Sequence, residues 1–305
     1  MKKVFIDGYA GTTGLKIYER LSSRKDIQLL TLTEETRKDL SARSDALNSA
    51  DIAFLCLPDD AAKESVSLIQ NPNTAVIDTS TAHRVNPEWM YGLPELNGQR
   101  EKIAASKRVA NPGCHATGFI VLIAPLVQAG IVKADEVLSC FSLTGYSGGG
   151  KKMIAQYEAE GRDILLDAPR QYGLTQNHKH LPEMAKVCGL KNAPVFCPVV
   201  ADYFAGMEVT VPVHGVSVKT LKDCYREYYA QGVVKFTESD TFSEGGFISA
   251  GAFAGRDDLE ICVYGNDERA LLISRFDNLG KGASGAAIQN MNILLGVDET
   301  EGLNL

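Results

Sequence analysis

Hydrophobic positions divide the chain into two parts with different patterns. Up to about residue 113, short apolar runs alternate with amphipathic stretches. The apolar runs predict strands at KKVFIDG, IQLLTLT, DIAFLCLP and TAVIDTS, and the amphipathic stretches predict helices at 15–22 and 61–68. This βα alternation is typical of a parallel, doubly wound sheet. The first part is therefore predicted to be an α/β domain with a parallel, doubly wound sheet.

From about Val137 the apolar runs are longer. Strands are predicted at EVLSCFSLTGYS, GMEVTVPVHGVSVKTL, GAFAGRDDLEICVYG and RALLISRFDN, with one helix near 221–231. These runs predict a mixed or antiparallel α+β domain. The closing segment, LGKGASGAAIQNMNILLGVDE, continues as an apolar helix from about Ser284, which by pattern alone can pack on either domain.

Composition narrows the function classes. A length of 305 residues suits two domains, and a net charge of −7 without a basic block argues against a nucleic-acid partner. No apolar run approaches the roughly 18 residues of a membrane span, and the N-terminus enters a strand directly, so we expect a cytoplasmic protein. The seven cysteines are scattered without a C-x-x-C pair, which predicts neither a disulfide framework nor a metal site.

A glycine-rich turn follows the first strand and precedes a helix. Its glycines have G-x-x-G-x-x-G spacing, and two threonines offer hydroxyl donors beside free helix N–H groups; the residues are Gly8, Gly11, Thr12, Thr13 and Gly14. Such a turn favours dinucleotide binding, with an ordinary βα turn as the alternative. After the second strand, Arg37 and Lys38 fit the 2′-phosphate of NADP, with Thr33 as a further hydrogen-bond donor. Glu34 and Glu35 could instead bind the ribose hydroxyls of NAD, which stays the alternative cofactor.

The stretch NPGCHATG places Cys114 after a Pro-Gly turn and at the start of a helix that includes 119–128. A helix N-terminus lowers the pKa of a thiol and thereby activates it as a nucleophile. Its backbone N–H groups also suit an oxyanion. The alternative is a buried cysteine without chemistry.

A cysteine nucleophile needs an acid/base partner. His115 is expected to point about 100° away from the thiol, because it is one residue further along a helix. In NHKHLPEM, His178 and His180 share one face of an extended segment, and one of them could move protons while the other, or Glu183 beyond the proline, orients it. Two surface histidines are the alternative.

A second glycine cluster, TGYSGGGKK, has freely oriented N–H groups and two lysines. A phosphate or carboxylate nest is predicted at Ser147, Gly148, Gly149 and Lys151, with a flexible lid as the alternative.

Taken together, the motifs resemble the N-acetyl-γ-glutamyl-phosphate reductase family in its shorter form. The resemblance is carried by DGYAGTTG, VIDTSTAHRV, YGLPELN, ANPGCHATG, HKHLPEM and DNLGKGASGAAIQNMN, which span nearly the whole chain. Longer family members usually have an aromatic residue after the cysteine and an arginine between the histidines, where this chain has His115 and Lys179.

The resemblance implies a fold shared with aspartate-semialdehyde dehydrogenase. A Rossmann-type dinucleotide-binding domain (1–113 plus 284–305) would contain an inserted α+β catalytic and oligomerisation domain (114–283). It also implies NADPH as cofactor, an acyl-phosphate substrate and a homodimer or homotetramer.

The same resemblance implies roles for individual residues. Cys114 would form a thioester that hydride reduces to the semialdehyde, and the acid/base group would be His180, with His178 the close second and Glu183 beside them. Substrate contacts are expected at Arg84, Glu95, Asn111 and Lys151, and a purely structural arginine is the alternative at Arg84.

Three other functions stay open from the sequence. The same thiol chemistry would reduce another acyl phosphate, such as β-aspartyl phosphate or an aminoadipate analogue. A non-catalytic dinucleotide-binding regulator would keep the fold without the chemistry, and a Cys/His hydrolase would need no cofactor.

Overall fold

The computed structural model describes residues 1–238 and 245–305. Within them the chain forms two compact units. Unit 1 contains Met1–Pro112 and Ala283–Leu303, and unit 2 contains Gly113–Gly282 and Asn304–Leu305. The domain boundaries given above differ from these by one residue at each crossing and by the last two residues.

The strands are, in chain order, β1 (Lys2–Asp7), β2 (Ile27–Leu30), β3 (Ile52–Leu55), β4 (Ala75–Asp78), β5 (Met90–Tyr91), β6 (Arg108–Ala110), β7 (Ser139–Gly145), β8 (Arg170–Gln171), β9 (Val195–Ala201), β10 (Met207–His214), β11 (Val234–Phe236), β12 (Leu259–Gly265) and β13 (Arg269–Phe276). The α-helices are α1 (Thr12–Leu21), α2 (Leu40–Ser49), α3 (Asp59–Ser67), α4 (Gln99–Ala104), α5 (Cys114–Gln128), α6 (Gly150–Tyr157), α7 (Leu181–Cys188), α8 (Val218–Tyr228) and α9 (Gly285–Leu295). Short 3₁₀ turns occur at Tyr146–Gly149 and Ile164–Asp167, and a π-helical turn at Gly280–Ser284.

Unit 1 is built on a parallel sheet of order β2-β1-β3-β4-β6-β5, which confirms the predicted doubly wound arrangement. Successive side chains of β1 enter two separate cores, Val4 and Ile6 on one face and Phe5 on the other. Helices α1 and α9 pack in the first core, and α2 and α3 in the second. The strand order turns around at β1 and β3, where open α/β sheets bind their ligands.

Unit 2 is built on a mixed sheet of order β11-β12-β13-β10-β7-β9-β8. Its central pairs β12·β13, β13·β10 and β10·β7 are antiparallel, whereas β7·β9 and β11·β12 are parallel. Helix α5 lies directly against this sheet, because Gly118 has no side chain: a Cβ there would be 2.4 Å from Val209 Cγ2. The mixed α+β architecture is confirmed.

Two strand predictions in unit 2 are too long. Gly215 (φ +70°) ends β10, and Ser217 caps α8 by accepting from the Thr220 N–H at 3.1 Å, so VKTL is helical. In the predicted strand GAFAGRDDLEICVYG, residues 251–258 form turns and irregular structure, and β12 begins only at Leu259. Gly255 has φ +83°, a conformation that a strand does not use. The prediction of one helix is also wrong, because α6 and α7 occur in addition to α8.

No helix within residues 1–238 and 245–305 combines the length and apolar character needed to cross a bilayer.

Candidate functional site

The glycine-rich turn in unit 1 requires its glycines. Gly8 has φ +86°, and a Cβ there would lie 2.4 Å from the Cys56 carbonyl oxygen. A Cβ on Gly14 would lie 2.5 Å from the Gly8 carbonyl oxygen, so α1 packs directly on the turn. Gly11 donates its N–H to the Gly8 carbonyl at 3.0 Å and is the N-cap of α1. Thr12 therefore opens the helix at a turn that follows β1, the geometry that suits a dinucleotide phosphate.

A cavity of about 250 Å³ lies beside this turn, and its lining includes Gly8, Tyr9, Arg37 and Lys38. The four residues from Gly11 to Gly14 are not part of that lining. Arg37 Nε lies 2.6 Å from Glu34 Oε2, and this contact lowers the pKa of the Glu34 carboxyl. The cavity thus joins the glycine turn to two cations, which fits a phosphorylated nucleoside.

Arg43 also lines the cavity and is only 7% exposed. It donates from Nη2 to Asp7 Oδ2 at 3.1 Å and to Ser65 Oγ at 2.6 Å, and from Nη1 to Glu64 Oε2 at 2.8 Å. Ser65 Oγ donates in turn to Asp7 Oδ2 at 2.7 Å. We call these four residues the Arg43 network; it joins the end of β1 to α2 and α3, and no local sequence pattern predicts it.

In unit 2, Cys114 is the first residue of α5, and Gly113 is its N-cap in an extended conformation. The cysteine is partly exposed, whereas every residue of 115–123 is buried. Gly282 packs against it, since a Cβ on Gly282 would lie 2.9 Å from Cys114 Cβ. The thiol is thus placed where α5 meets solvent, while the rest of this part of the helix lies in the core.

The HKH segment folds as a turn, because His180 (φ −87°, ψ −13°) is the N-cap of α7. The prediction of an extended segment is therefore wrong: the proline after Leu181 opens a helix. The rings of His178 and His180 still meet, with centroids 4.7 Å apart, and the His180 N–H donates to His178 Nδ1 at 3.2 Å.

Glu183 connects this segment to the cysteine turn. Its side chain is 1% exposed, and Oε2 accepts from the Gly113 N–H at 3.1 Å. Its Oε1 lies 3.9 Å from His180 Nε2. One buried carboxylate therefore touches both the residue before Cys114 and one candidate acid/base group.

His115 belongs to the same cluster, although its place one residue further along the helix predicts a ring that points away from the thiol. Its ring lies 5.6 Å from that of His178 and 5.5 Å from that of His180. His115 Nδ1 is 2.7 Å from Ser142 Oγ, and Nε2 is 2.6 Å from the Tyr172 hydroxyl. Burial lowers the pKa of His115 to about 3, with smaller contributions from His178 and Lys179, so its imidazole is neutral.

Three predicted substrate residues lie in unit 1 and bind other parts of that unit. Arg84 donates to two backbone carbonyls, including that of Asn111 at 2.9 Å. The Asn111 side chain donates to the Ala283 carbonyl at 3.0 Å, and Glu95 Oε1 accepts from Gln289 at 2.8 Å. These contacts give the side chains structural tasks, and their binding of substrate stays a prediction.

The predicted anion nest is more regular than expected. Its glycines belong to the 3₁₀ turn Tyr146–Gly149, and Lys151 is exposed in the first turn of α6. Ser147 is 1% exposed and its Oγ accepts from Asn278 Nδ2 at 2.9 Å. The serine hydroxyl is thus engaged inside unit 2, whereas Gly148, Gly149 and Lys151 are exposed.

Within residues 1–238 and 245–305 there is no group of three His, Cys, Asp or Glu side chains that could hold a metal ion. All seven cysteines are free thiols.

Comparison with known proteins places both units in one family. Residues 3–106 match the semialdehyde dehydrogenase NAD binding domain, and 114–278 match the semialdehyde dehydrogenase dimerisation domain. The chain is similar to N-acetyl-gamma-glutamyl-phosphate reductase 2 of Nostoc sp., with 44% identity over 99% of both chains. It is also similar to N-acetyl-gamma-glutamyl-phosphate reductase 2 of Pseudomonas putida, with 46% identity over 98% of both chains.

Among solved structures, the fold is similar to aspartate semialdehyde dehydrogenase II from Vibrio cholerae, with a TM-score of 0.71 and 16% identity, covering 97% of this chain and 98% of that one. The enzyme from Candida albicans, solved with NADP, gives a TM-score of 0.68 and 16% identity, covering 97% and 98%. At this identity the likeness concerns the fold.

Proposed function

Because the chain belongs to the N-acetyl-γ-glutamyl-phosphate reductases of the semialdehyde dehydrogenase family, we propose that it reduces N-acetyl-γ-glutamyl phosphate to N-acetylglutamate semialdehyde in arginine biosynthesis. The observation that carries the proposal is the partly exposed thiol of Cys114 at the start of a buried helix. Glu183 supports it by linking Gly113 to His180.

The first step is acyl transfer to Cys114. The thiolate attacks the acyl carbon, a C–S bond forms, and the C–O bond to phosphate breaks with its electron pair leaving on phosphate. His180 accepts the thiol proton, and His178 is the alternative for this role. We assign the binding of the oxygen that gains charge to the first-turn N–H groups of α5, because Gly113 at the N-cap brings no side chain to them.

The second step releases the aldehyde. When bound, the reduced nicotinamide supplies a hydride to the thioester carbon. The C–S electron pair then returns to Cys114, which is a good leaving group as a thiolate. With phosphate counted as a dianion, the overall reaction takes up one proton, and we assign its transfer to the histidine pair.

We assign the cofactor as NADP. The family's NAD binding domain implies a nicotinamide dinucleotide, and Arg37 and Lys38 beside Gly8 suit a 2′-phosphate. Glu34 competes for Arg37 in the absence of a ligand, because the two side chains form an ion pair. Thr12 and Thr13 in the first turn of α1 stay the predicted pyrophosphate contacts.

A homodimer or homotetramer stays the prediction for the assembly, and the dimerisation domain of the family supports an oligomer. The cytoplasm stays the predicted compartment.

Trapping of the acyl-enzyme tests this function. Mixing the protein with N-acetyl-γ-glutamyl phosphate in the absence of cofactor should release phosphate and leave an N-acetylglutamyl thioester on the Cys114 peptide, detected by mass spectrometry. Cys114→Ser should abolish both signals, whereas Cys197→Ser, at another partly buried thiol, should retain them. NADPH added to the trapped enzyme should release the semialdehyde.

Parallel reactions with β-aspartyl phosphate and an aminoadipate analogue decide the substrate. Faster turnover of either compound would overturn the substrate assignment while leaving the thiol chemistry intact. Unchanged phosphate release by Cys114→Ser would overturn the mechanism.

A further inference from the structure

Three side chains of unit 2 form a hydrogen-bonded line to which the reaction above gives no task. Ser142 Oγ is 2.7 Å from His115 Nδ1, and His115 Nε2 is 2.6 Å from the Tyr172 hydroxyl. Ser142 is 1% exposed and His115 3% exposed. They come from β7, from α5 and from the residue after β8, so the line is assembled only by the fold. We call these three residues the relay.

The direction of the protons follows from what each group can offer. A neutral imidazole has one N–H donor and one nitrogen acceptor, so His115 donates at one end of the relay and accepts at the other. Among the described residues, Ser142 Oγ has no hydrogen-bond partner except His115. If His115 donated to it, the hydroxyl hydrogen of a buried serine would be left without an acceptor, which is costly. Ser142 therefore donates to Nδ1, and Nε2–H donates to the Tyr172 oxygen.

This arrangement leaves the Tyr172 hydrogen available. The hydroxyl oxygen accepts from His115, and its own O–H is then free to donate elsewhere. Burial, and to a smaller extent the charge of Cys114, raises the pKa of Tyr172, so the phenol stays protonated. This donor is bonded to His115, the residue that follows Cys114 in α5, and its ring lies 5.9 Å from that of His178.

We propose that Ser142 and His115 orient the Tyr172 hydroxyl as a hydrogen-bond donor to the acyl oxygen of the group attacked by Cys114. Tyr172 is then a catalytic residue, and His115 and Ser142 are positioning residues. The proposal rests on the function given above, since it supplies a donor for the oxygen that gains charge when Cys114 is acylated. Such a donor acts where charge develops, so its loss affects acylation more than it affects thiol reactivity in general.

Two probe reactions separate these effects. Acylation by p-nitrophenyl acetate creates charge on a carbonyl oxygen, whereas alkylation by iodoacetamide at the same sulfur does not. Tyr172→Phe should slow acylation of Cys114 by about 100-fold, the usual effect of removing one such donor, and should leave its alkylation rate and NADPH affinity unchanged. Tyr225→Phe is the matched control, because it removes another buried hydroxyl that bonds a backbone carbonyl, that of Leu122, and should leave acylation unchanged.

Variants of His115 test whether it acts through Tyr172. His115→Phe keeps the ring but loses both nitrogens, and should slow acylation nearly as much as Tyr172→Phe. His115→Gln keeps one acceptor and one donor, and should recover most of the rate. In the double variant His115→Phe/Tyr172→Phe, the histidine change should add little, because residues that act as a unit are not additive.

Three results would overturn the relay. The first is a wild-type acylation rate in Tyr172→Phe, and the second is an equal fall of its acylation and alkylation rates. The third is that His115→Phe slows acylation as much in the Tyr172→Phe background as in the wild-type protein. These ratios are measured with p-nitrophenyl acetate and do not depend on the natural substrate. If the wild-type protein failed to reduce N-acetyl-γ-glutamyl phosphate, the proposed function would fail, and the relay would still be decided by the probe reactions.

Discussion

Gly282 controls the position of the nucleophile, and replacing it tests whether that position is required. A Cβ on Gly282 would lie 2.9 Å from Cys114 Cβ, 3.1 Å from the Asp277 carbonyl oxygen and 3.3 Å from Phe276 Cε2. Carbon atoms in contact prefer about 3.5–4.0 Å, so Gly282→Ala must displace Cys114 or the π-helical turn by roughly 0.6–1 Å. Overpacking of this kind costs about 1–3 kcal/mol of stability. A displacement of about 1 Å at reacting atoms can lower a rate by about 10²-fold.

The assay compares activity with folding. Gly282→Ala should lower kcat with N-acetyl-γ-glutamyl phosphate by about 10–100-fold, while thermal unfolding stays cooperative and NADPH still binds. Gly251→Ala is the matched control, because the nearest atom to a Cβ there is Ser249 Oγ at 3.7 Å. Wild-type kcat in Gly282→Ala would refute the reasoning, since the thiol would then tolerate the displacement that the contact requires.

Three further changes have expected outcomes. Glu183→Gln removes the buried charge that binds the Gly113 N–H; since bonds to charged groups contribute about 1.5–3 kcal/mol, we expect kcat/KM to fall by about 10-fold or more in steady-state assays, with circular dichroism unchanged. Burial holds the pKa of His115 at about 3, below its ordinary 6.5. At a pH between these two pKa values, His115 is protonated in the unfolded chain and neutral in the folded chain. The free energy of unfolding should therefore fall as the pH is lowered through this range. Urea titrations should show a weaker fall in His115→Gln. Replacing Arg37 and Lys38 by alanine should weaken NADPH binding by about 10–100-fold and leave NADH binding unchanged, as measured by fluorescence titration; an equal loss for both would contradict a 2′-phosphate contact.

Much of the fold could be predicted from local patterns. The βα alternation of unit 1 and the glycines after β1 depend on residues close together in sequence, and Gly8 at φ +86° is a direct consequence of its turn. Helix α2 was missed because its sequence, LSARSDALNS, is largely polar. Arg43 within it is buried only because acidic partners from β1 and α3 surround it.

The candidate site divides in the same way. Cys114 could be found from the turn and helix around it, and Glu183 from its place beside the histidines. Its contact with Gly113, 70 residues away, could not. His115 follows Cys114 in α5, and its side chain therefore points about 100° away around the helix axis. Ser142 of β7 and the HKH turn contact the His115 ring on that side of the helix. Ser142 and Tyr172 have no local signal, because only the folded sheet brings them to this ring.

The Arg43 network has a consequence for redesign of nucleotide preference. Asp7 precedes Gly8 directly, and its carboxylate is held by Arg43 and Ser65 from helices that contain neither Arg37 nor Lys38. Asp7, directly before the glycine turn, is therefore held by contacts that involve no residue of 33–38. Grafting a foreign 33–38 segment should alter which dinucleotide is accepted without loosening the scaffold that receives it.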